Sequence, residues 1–418
     1  MNRFARLITA ALVAVAASKA TPARADDACL PVKRGTLARC AIDASPVVRV
    51  GAAERDLAGA RVRVAAPWLP SNPVLGLSAA ARRNDTEPRA TNWYASLSQE
   101  LEIGGQRAAR VASAEADVAA TEQRALAARR GVAITAFRAY FEAVAARDEL
   151  ALARRLEALT RAVADTTQTF AERGAIAGLD ADLADAVAAR AKQGRIGAEG
   201  RAATARTVLA ALLAVPVERV EVEGDLAPLR DVVDRARRAS VAGRPELRAL
   251  EWEARAHDAR SRQYERQRIP NPTVSAFLQN DGFNERVFGL GLSLPLPVGR
   301  TYAGEIAEAR ASARLLRTES TRVEAELGRE LAAALGEFDT RIAERDAITD
   351  EKYARAETTL TTLAGEVSAG KIAPRDAFLA QQTLIELLQG RVAARRLVCL
   401  ASLDVARAAG LMPEGGEP

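Results

Sequence analysis

Five ionisable residues fall in two short stretches of the chain that resemble each other. Asp180 and Asp182 lie in GAIAGLDADLA (174–184), and Lys371, Arg375 and Asp376 lie in GKIAPRDAFLA (370–380). Carboxylates gathered in one place raise the local negative potential and attract cations. Carboxylates facing a Lys or Arg can instead tie two segments together through charge-assisted hydrogen bonds. An aspartate at the start of a helix can also act simply as a cap, so for Asp180 and Asp376 both a cap and a place along an ion path stand open. Other chemistry is sparse. His257 is the single histidine and sits among Arg and Glu, and beyond the first residue the chain keeps one methionine, Met412. A metal centre needs several ligating groups that converge. No such set, nucleophile–base pair or glycine-rich phosphate loop can be picked out. The expectation is no cofactor, no resident metal and no enzyme.

The elements that carry these residues come in duplicate. Gly174/Gly370, Ile176/Ile372, Ala177/Ala373, Asp180/Asp376, Ala181/Ala377, Leu183/Leu379 and Ala184/Ala380 are identical at an offset of 370 − 174 = 196. Each copy lies between two Ala-rich, charged stretches with helical spacing, so each reads as the tip of a helical hairpin. The match extends outward. Leu101, Ile103, Gly104 and Ala112 correspond to Leu296, Val298, Gly299 and Ala307 at offset 195, and Asn72-Pro73 corresponds to Asn271-Pro272 at 199. Pro46, Arg49 and Glu54 correspond to Pro245, Arg248 and Glu253 at the same 199. A repeat of this kind fixes the architecture before any single element does. At the two tips the glycines allow tight turns. Gly174, Ile176, Ala177, Leu183, Gly370, Ile372, Ala373 and Leu379 then offer a small apolar surface to a partner.

Two strand pairs lie between the anchors, at 72–83 with 92–103 and at 271–280 with 286–298. In the last of these Phe288, Leu290, Leu292, Leu294 and Leu296 face one way, and Val287, Gly289, Gly291 and Ser293 face the other. An apolar face alternating with a small or polar one suits a barrel wall between lipid and water; a sandwich with an apolar core is the other reading. Four strands close no barrel of useful size, so the barrel reading requires several copies. Each strand pair runs into a long helical stretch, 105–173 without proline and about 301–368 in the second copy, with return helices near 179–214 and 375–410. At ~1.5 Å per residue the first could reach about 100 Å. The expected fold is mainly α with a small β part: two long helical hairpins forming an α-barrel tunnel, plus four strands. The expected divisions are a signal peptide (1–25), a first repeat (26–214), a connector (215–244), a second repeat (245–410) and a short tail (411–418).

Arg3 and Arg6, the apolar run Leu7 to Ala17 and Ala23-Arg24-Ala25 have the layout of an export signal. The run is too short for the roughly 20 residues of a spanning helix. Export to an oxidising compartment makes Cys29 and Cys40 a candidate disulfide, while Cys399 lies on an apolar helical face. The 59 basic and 54 acidic residues are interleaved. They read as solvated helix surface rather than a nucleic-acid stripe.

The Asn-Pro strand starts, the LEIGGQR exit (101–107), the RPELR run (244–248) and the two tip motifs, in this duplicated order, resemble the TolC-type outer-membrane efflux channels, with the flavour of the CzcC-like cation-efflux branch. The resemblance spans about Gly35 to Gly410. It implies a homotrimer with twelve strands in one barrel in the outer-membrane lipid, a periplasmic helical tunnel, and tips that meet a periplasmic adaptor linked to an inner-membrane pump of the RND type. It implies a passive exit duct for metal cations or drugs. A type I secretion duct of the same fold, and a periplasmic coiled-coil adaptor, are the alternatives, and two hairpins with two strand pairs argue against the adaptor. At the tips the carry-over is partial. Asp180 and Asp376 keep family carboxylates, but Val367, Ile372 and Leu379 stand where the best-known member has a tyrosine, an arginine and a second aspartate. A gate here would have to be held differently, with Asp180, Asp182, Lys371 and Arg375 as its polar candidates.

Overall fold

A computed structural model describes residues 29–82, 90–280 and 285–414. The expected signal peptide, Asn84 to Arg89 of the polar turn expected at Asn84–Thr91, the expected Asp281-Gly282 turn and the tail from residue 415 lie outside the described residues, whereas Ala90 and Thr91 already belong to a strand. Two short helices, α1 (Arg34–Ala44) and α2 (Pro46–Ala65), lead into strands β1 (Val74–Arg82) and β2 (Ala90–Glu100). Helix α3 (Gln106–Glu172) then runs unbroken for 67 residues, its alanine-rich sequence free of proline. It begins after Gly105 at φ 76° and stops before Gly174 at φ 71°, a conformation that favours glycine. Helix α4 (Gly178–Leu213) returns beside it.

After a connector that includes α5 (Arg230–Ala236), the order repeats: α6 (Pro245–Gln267), β3 (Thr273–Asn280), β4 (Arg286–Ser293), then the second hairpin. Its outgoing arm differs from the continuous helix expected over 301–368. It is split into α7 (Ala303–Asp346) and α8 (Asp350–Ser368), and α9 (Pro374–Ala409) returns. At the break the Thr349 hydroxyl accepts from the Lys352 N–H at 3.4 Å. Two β-branched residues, Ile348 and Thr349, followed by Asp350 and Glu351 in the new first turn, make a helix start there better than a continuation.

The sheet is an antiparallel meander in the order β1-β2-β3-β4, so β1 and β4 are open edges. β4 ends at Ser293 rather than continuing to 298. Pro295 and Pro297 cannot donate to a ladder, and alternation alone does not reveal this. The helices repeat the layout of the sheet, with α2 against α3, α3 against α6 and α6 against α7. At the other end α3 packs on α4, and α8 on α9.

The main core sits at the waist, where Phe137, Tyr140, Phe141 and Val144 of α3 meet Leu37, Val220, Leu229, Cys399 and Leu403. The Tyr140 hydroxyl donates to the Glu223 carbonyl at 2.7 Å. Cys29 and Cys40 are bridged with Cα atoms 5.9 Å apart, which pins the start of the described chain to this core. Cys399 is free and buried, and burial pushes its thiol up to about 12, as expected of an inert packing residue. None of the described helices is long and apolar enough to cross a membrane.

Candidate functional site

The two tips are built alike. At the first, the Gly174 N–H donates to Ala171 O and the Ala175 N–H to Phe170 O, both at 2.9 Å. At the second, Gly370 N–H donates to Val367 O and Lys371 N–H to Glu366 O, both at 3.0 Å. This paired helix-ending motif satisfies carbonyls left over by the helix and needs a left-handed glycine, which Gly370 supplies at φ 69°. Each chain then turns and starts its return helix at the same relative position. Gly174, Ala177, Leu183, Gly370, Ala373 and Leu379 are exposed, and Ile176 and Ile372 are half-buried.

Asp180 and Asp376 do not cap these return helices. The caps are Ala177 and Ala373, neither with a side-chain capping bond, and the aspartates sit one turn in. Their backbone N–H groups bond to Ala177 O and Ala373 O, and their carboxylates lie where the helix dipole favours negative charge. Asp180 is half-buried, while Asp182, Lys371 and Asp376 are exposed. No ion pair joins Asp180, Asp182, Lys371 or Asp376 to another described side chain. The side chain of Arg375 lies outside the described set.

Apolar contacts hold the tip instead. Val367 is buried with Val163 of α3, Leu363 of α8 and Ala377 of α9, and Ile372 and Phe378 pack against them. Phe378 also packs against Ala164 of α3 and Ala184 and Ala188 of α4. Sequence reasoning did not single out Phe378. Its signal is a departure from the repeat, since the first copy has Asp182 at the matching place (378 − 182 = 196).

At the other end the strand wall presents two faces. In register across the sheet, Leu75, Leu97, Ala276 and Leu290 form one row and Leu77, Ala95, Leu278 and Phe288 the next. Phe288, Leu290 and Leu292 are 70%, 75% and 74% exposed. Leu294 is exposed too but follows the end of β4. The opposite face carries Gly76, Ser96, Ser98, Ser275, Gly289 and Gly291. Tyr94 and Phe277 stack on it with centroids 5.6 Å apart, above Gly289, where a side chain would collide with Phe277.

A buried polar cluster ties the repeats together near the waist. Arg130 of α3 donates to Gly410 O and, at 3.2 Å, to Glu246. Arg244 donates to Ala408 O at 2.8 Å and to Glu246 at 3.1 Å. The two guanidiniums therefore satisfy carbonyls at the end of α9, where the helix dipole favours positive charge. Among the described residues no group of three His, Cys, Asp or Glu could hold a metal ion. His257 has its pKa lowered by burial and by Arg260. A groove of about 620 Å³ opens between α3 and α4. Its Arg201 and Arg396 are already paired with Glu149 and Glu142.

Residues 37–215 match the family of outer membrane efflux proteins. The nickel-cobalt-cadmium resistance protein NccC of Alcaligenes xylosoxydans xylosoxydans is 26% identical over 301 residues, covering 69% of this chain and 67% of that protein. The structure is similar to that of the outer-membrane channel OprN, with a TM-score of 0.72 at 17% identity over 90% of this chain and 89% of that one. It is also similar to the outer membrane protein VceC of Vibrio cholerae, with a TM-score of 0.71 at 17% identity over 90% and 96% of the two chains.

Proposed function

We infer that this chain is a TolC-type outer-membrane efflux channel and serves as the passive exit duct of a tripartite efflux system, with its strands in the outer membrane and its helices in the periplasm. One observation carries the reading. The four-stranded meander has both edges open, an apolar outer face and an inner face of mostly small and polar residues, and it continues into α3, which is about 100 Å long. Such a sheet is stable in a bilayer only when its edges are paired. Three copies supply 3 × 4 = 12 strands, with β4 of each pairing β1 of the next.

The helices then enclose a water-filled tunnel continuous with the barrel. The exposed tip residues meet a periplasmic adaptor, which links the duct to an inner-membrane pump of the RND type. The pump does the work and the duct performs no reaction. Similarity to NccC favours metal cations as cargo over drugs. Threefold repetition of the exposed Asp376 places three carboxylates at the periplasmic mouth, where they attract cations.

The purified protein in detergent should be a trimer, and it should conduct ions in a planar bilayer with a preference for cations. Asp376→Asn should reduce that preference and weaken block by multivalent cations while the trimer stays intact. A monomer that runs without detergent would sink the duct reading. Unchanged selectivity in Asp376→Asn would remove Asp376 from the pore.

A further inference from the structure

We propose that Phe378 is an apolar latch holding the second hairpin tip against the first hairpin, and that the arm it holds hinges at Ala347–Thr349. The proposal rests on the exit-duct reading for the consequence of release, a wider periplasmic mouth.

The two outgoing arms differ. α3 is continuous to its tip, whereas its counterpart is interrupted between α7 and α8. At the repeat offset of 196 the break falls on residues 151–153 of the first copy, inside α3. A break of this kind can absorb the backbone change of a swinging segment. The segment beyond it comprises α8, the tip and the first turns of α9.

Three apolar steps hold that segment down. Nearest the break, Tyr353, Ala356 and Leu360 of α8 and Leu388 of α9 pack on Leu152 and Leu156 of α3. Next, Leu363, Val367 and Ala377 close on Val163. At the tip Phe378 enters a trough of alanines, Ala164, Ala184 and Ala188, contributed by both helices of the first hairpin. Phe378 packs against the second and third clusters at once, and the third includes Ala184 and Ala188 of α4.

Polar contacts do little of this holding. Among the described residues one ion pair, Arg155 with Glu357, joins the arm to α3, and both side chains are largely exposed. Arg391 with Asp350, at 2.6 Å, joins α9 to α8 within the second hairpin and makes no tie to the first. Exposed pairs weaken with salt, whereas apolar contacts do not.

Hydrogen exchange on the purified full-length trimer tests this without relying on conduction. Phe378→Ala should speed exchange of amides in 350–384 by about tenfold or more, through local opening. Residues 303–346 and the trimer itself should be unaffected. Phe378→Leu should restore most of the protection. Raising salt to about 1 M should leave wild-type protection unchanged. In bilayers Phe378→Ala should raise the mean conductance. Unchanged exchange in Phe378→Ala, or a wild-type arm that loosens in high salt, would overturn the latch. If no variant conducts while the exchange pattern appears as stated, the duct reading fails and the latch stands.

Discussion

Glu246 stands between two guanidiniums and pairs with both, while Arg130 also donates to the Gly410 carbonyl and Arg244 to that of Ala408. Burial works against its carboxylate. The hydrogen bonds from Arg244 and the charge of Arg130 outweigh burial and hold its pKa below the ordinary 4.5. A carboxylate with a depressed folded pKa contributes stability above its unfolded value and loses it as pH falls through the folded one. Thermal stability should therefore decline below about pH 4.5, and the decline should be shallower in Glu246→Gln. That variant should also be less stable at neutral pH by about 1–2 kcal/mol, the low end for charged hydrogen bonds because Glu246 is partly exposed. Calorimetry in detergent at neutral and acid pH reads both effects, and equal melting of the two proteins at neutral pH would count against the pin. The RPELR run gave no sign of this role in the sequence, because Arg130 and the end of α9 lie 114 (244 − 130) and 164 (408 − 244) residues away from Arg244.

Among the elements, the tips show best what pattern reveals and what it hides. The duplicated motif marked both turns, and the hydrogen bonds at Gly174 and Gly370 repeat at the same offset of 196. Glycine at each is required by φ angles of 71° and 69°. Gly370→Val should strain the turn, since a β-branched residue in the left-handed region is a genuine outlier. It should abolish adaptor binding and efflux while the trimer survives, and wild-type efflux in this variant would refute the contact role of the tip. The strand wall was equally visible through the alternation of Phe288, Leu290 and Leu292. The same alternation misleads at Leu294 and Leu296, where it runs on through Pro295 and Pro297 after the ladder has ended. The aspartates mislead in another way. Asp180 and Asp376 resemble caps in sequence, but the return helices begin earlier, at Gly178 and Pro374, so alanines take the cap positions and the aspartates fall within the first turn. The break at Ala347–Thr349 and the packing of Phe378 depend on which side chains meet across two hairpins. Helical periodicity carries no information about that.

At the scale of the molecule the duplication predicts how copies meet. Within one chain the first repeat joins the second through β2 with β3 and α3 with α6. The Leu101 N–H donates to Pro272 O at 2.9 Å, and the Gln106 amide to Asn271 at 2.9 Å. The open edges, β4 with α7 and β1 with α2, are the same two surfaces one repeat further on. A head-to-tail contact between them closes if the rotation returns to its start. The side chains agree with this. On α6, Ala249 and Ala256 are buried; their counterparts on α2, at 249 − 50 = 199 and 256 − 57 = 199, are Val50 and Leu57, both more than half exposed. On α3, Ala120 is buried, and its counterpart on α7, at 315 − 120 = 195, is Leu315, which is 69% exposed. Apolar residues thus stand uncovered on both edges at the places the intrachain joint covers. Leu57→Glu and Leu315→Glu should each shift the purified protein from trimer towards monomer, because an unpaired charge in a covered apolar contact is costly. Leu57→Lys combined with Leu315→Glu should recover part of the trimer, as a charge pair of opposite sign across the seam. Mass measurement in detergent separates the outcomes. Trimers of wild-type stability in both single variants would mean that the copies meet elsewhere, and the repeat would then describe the chain without describing its assembly.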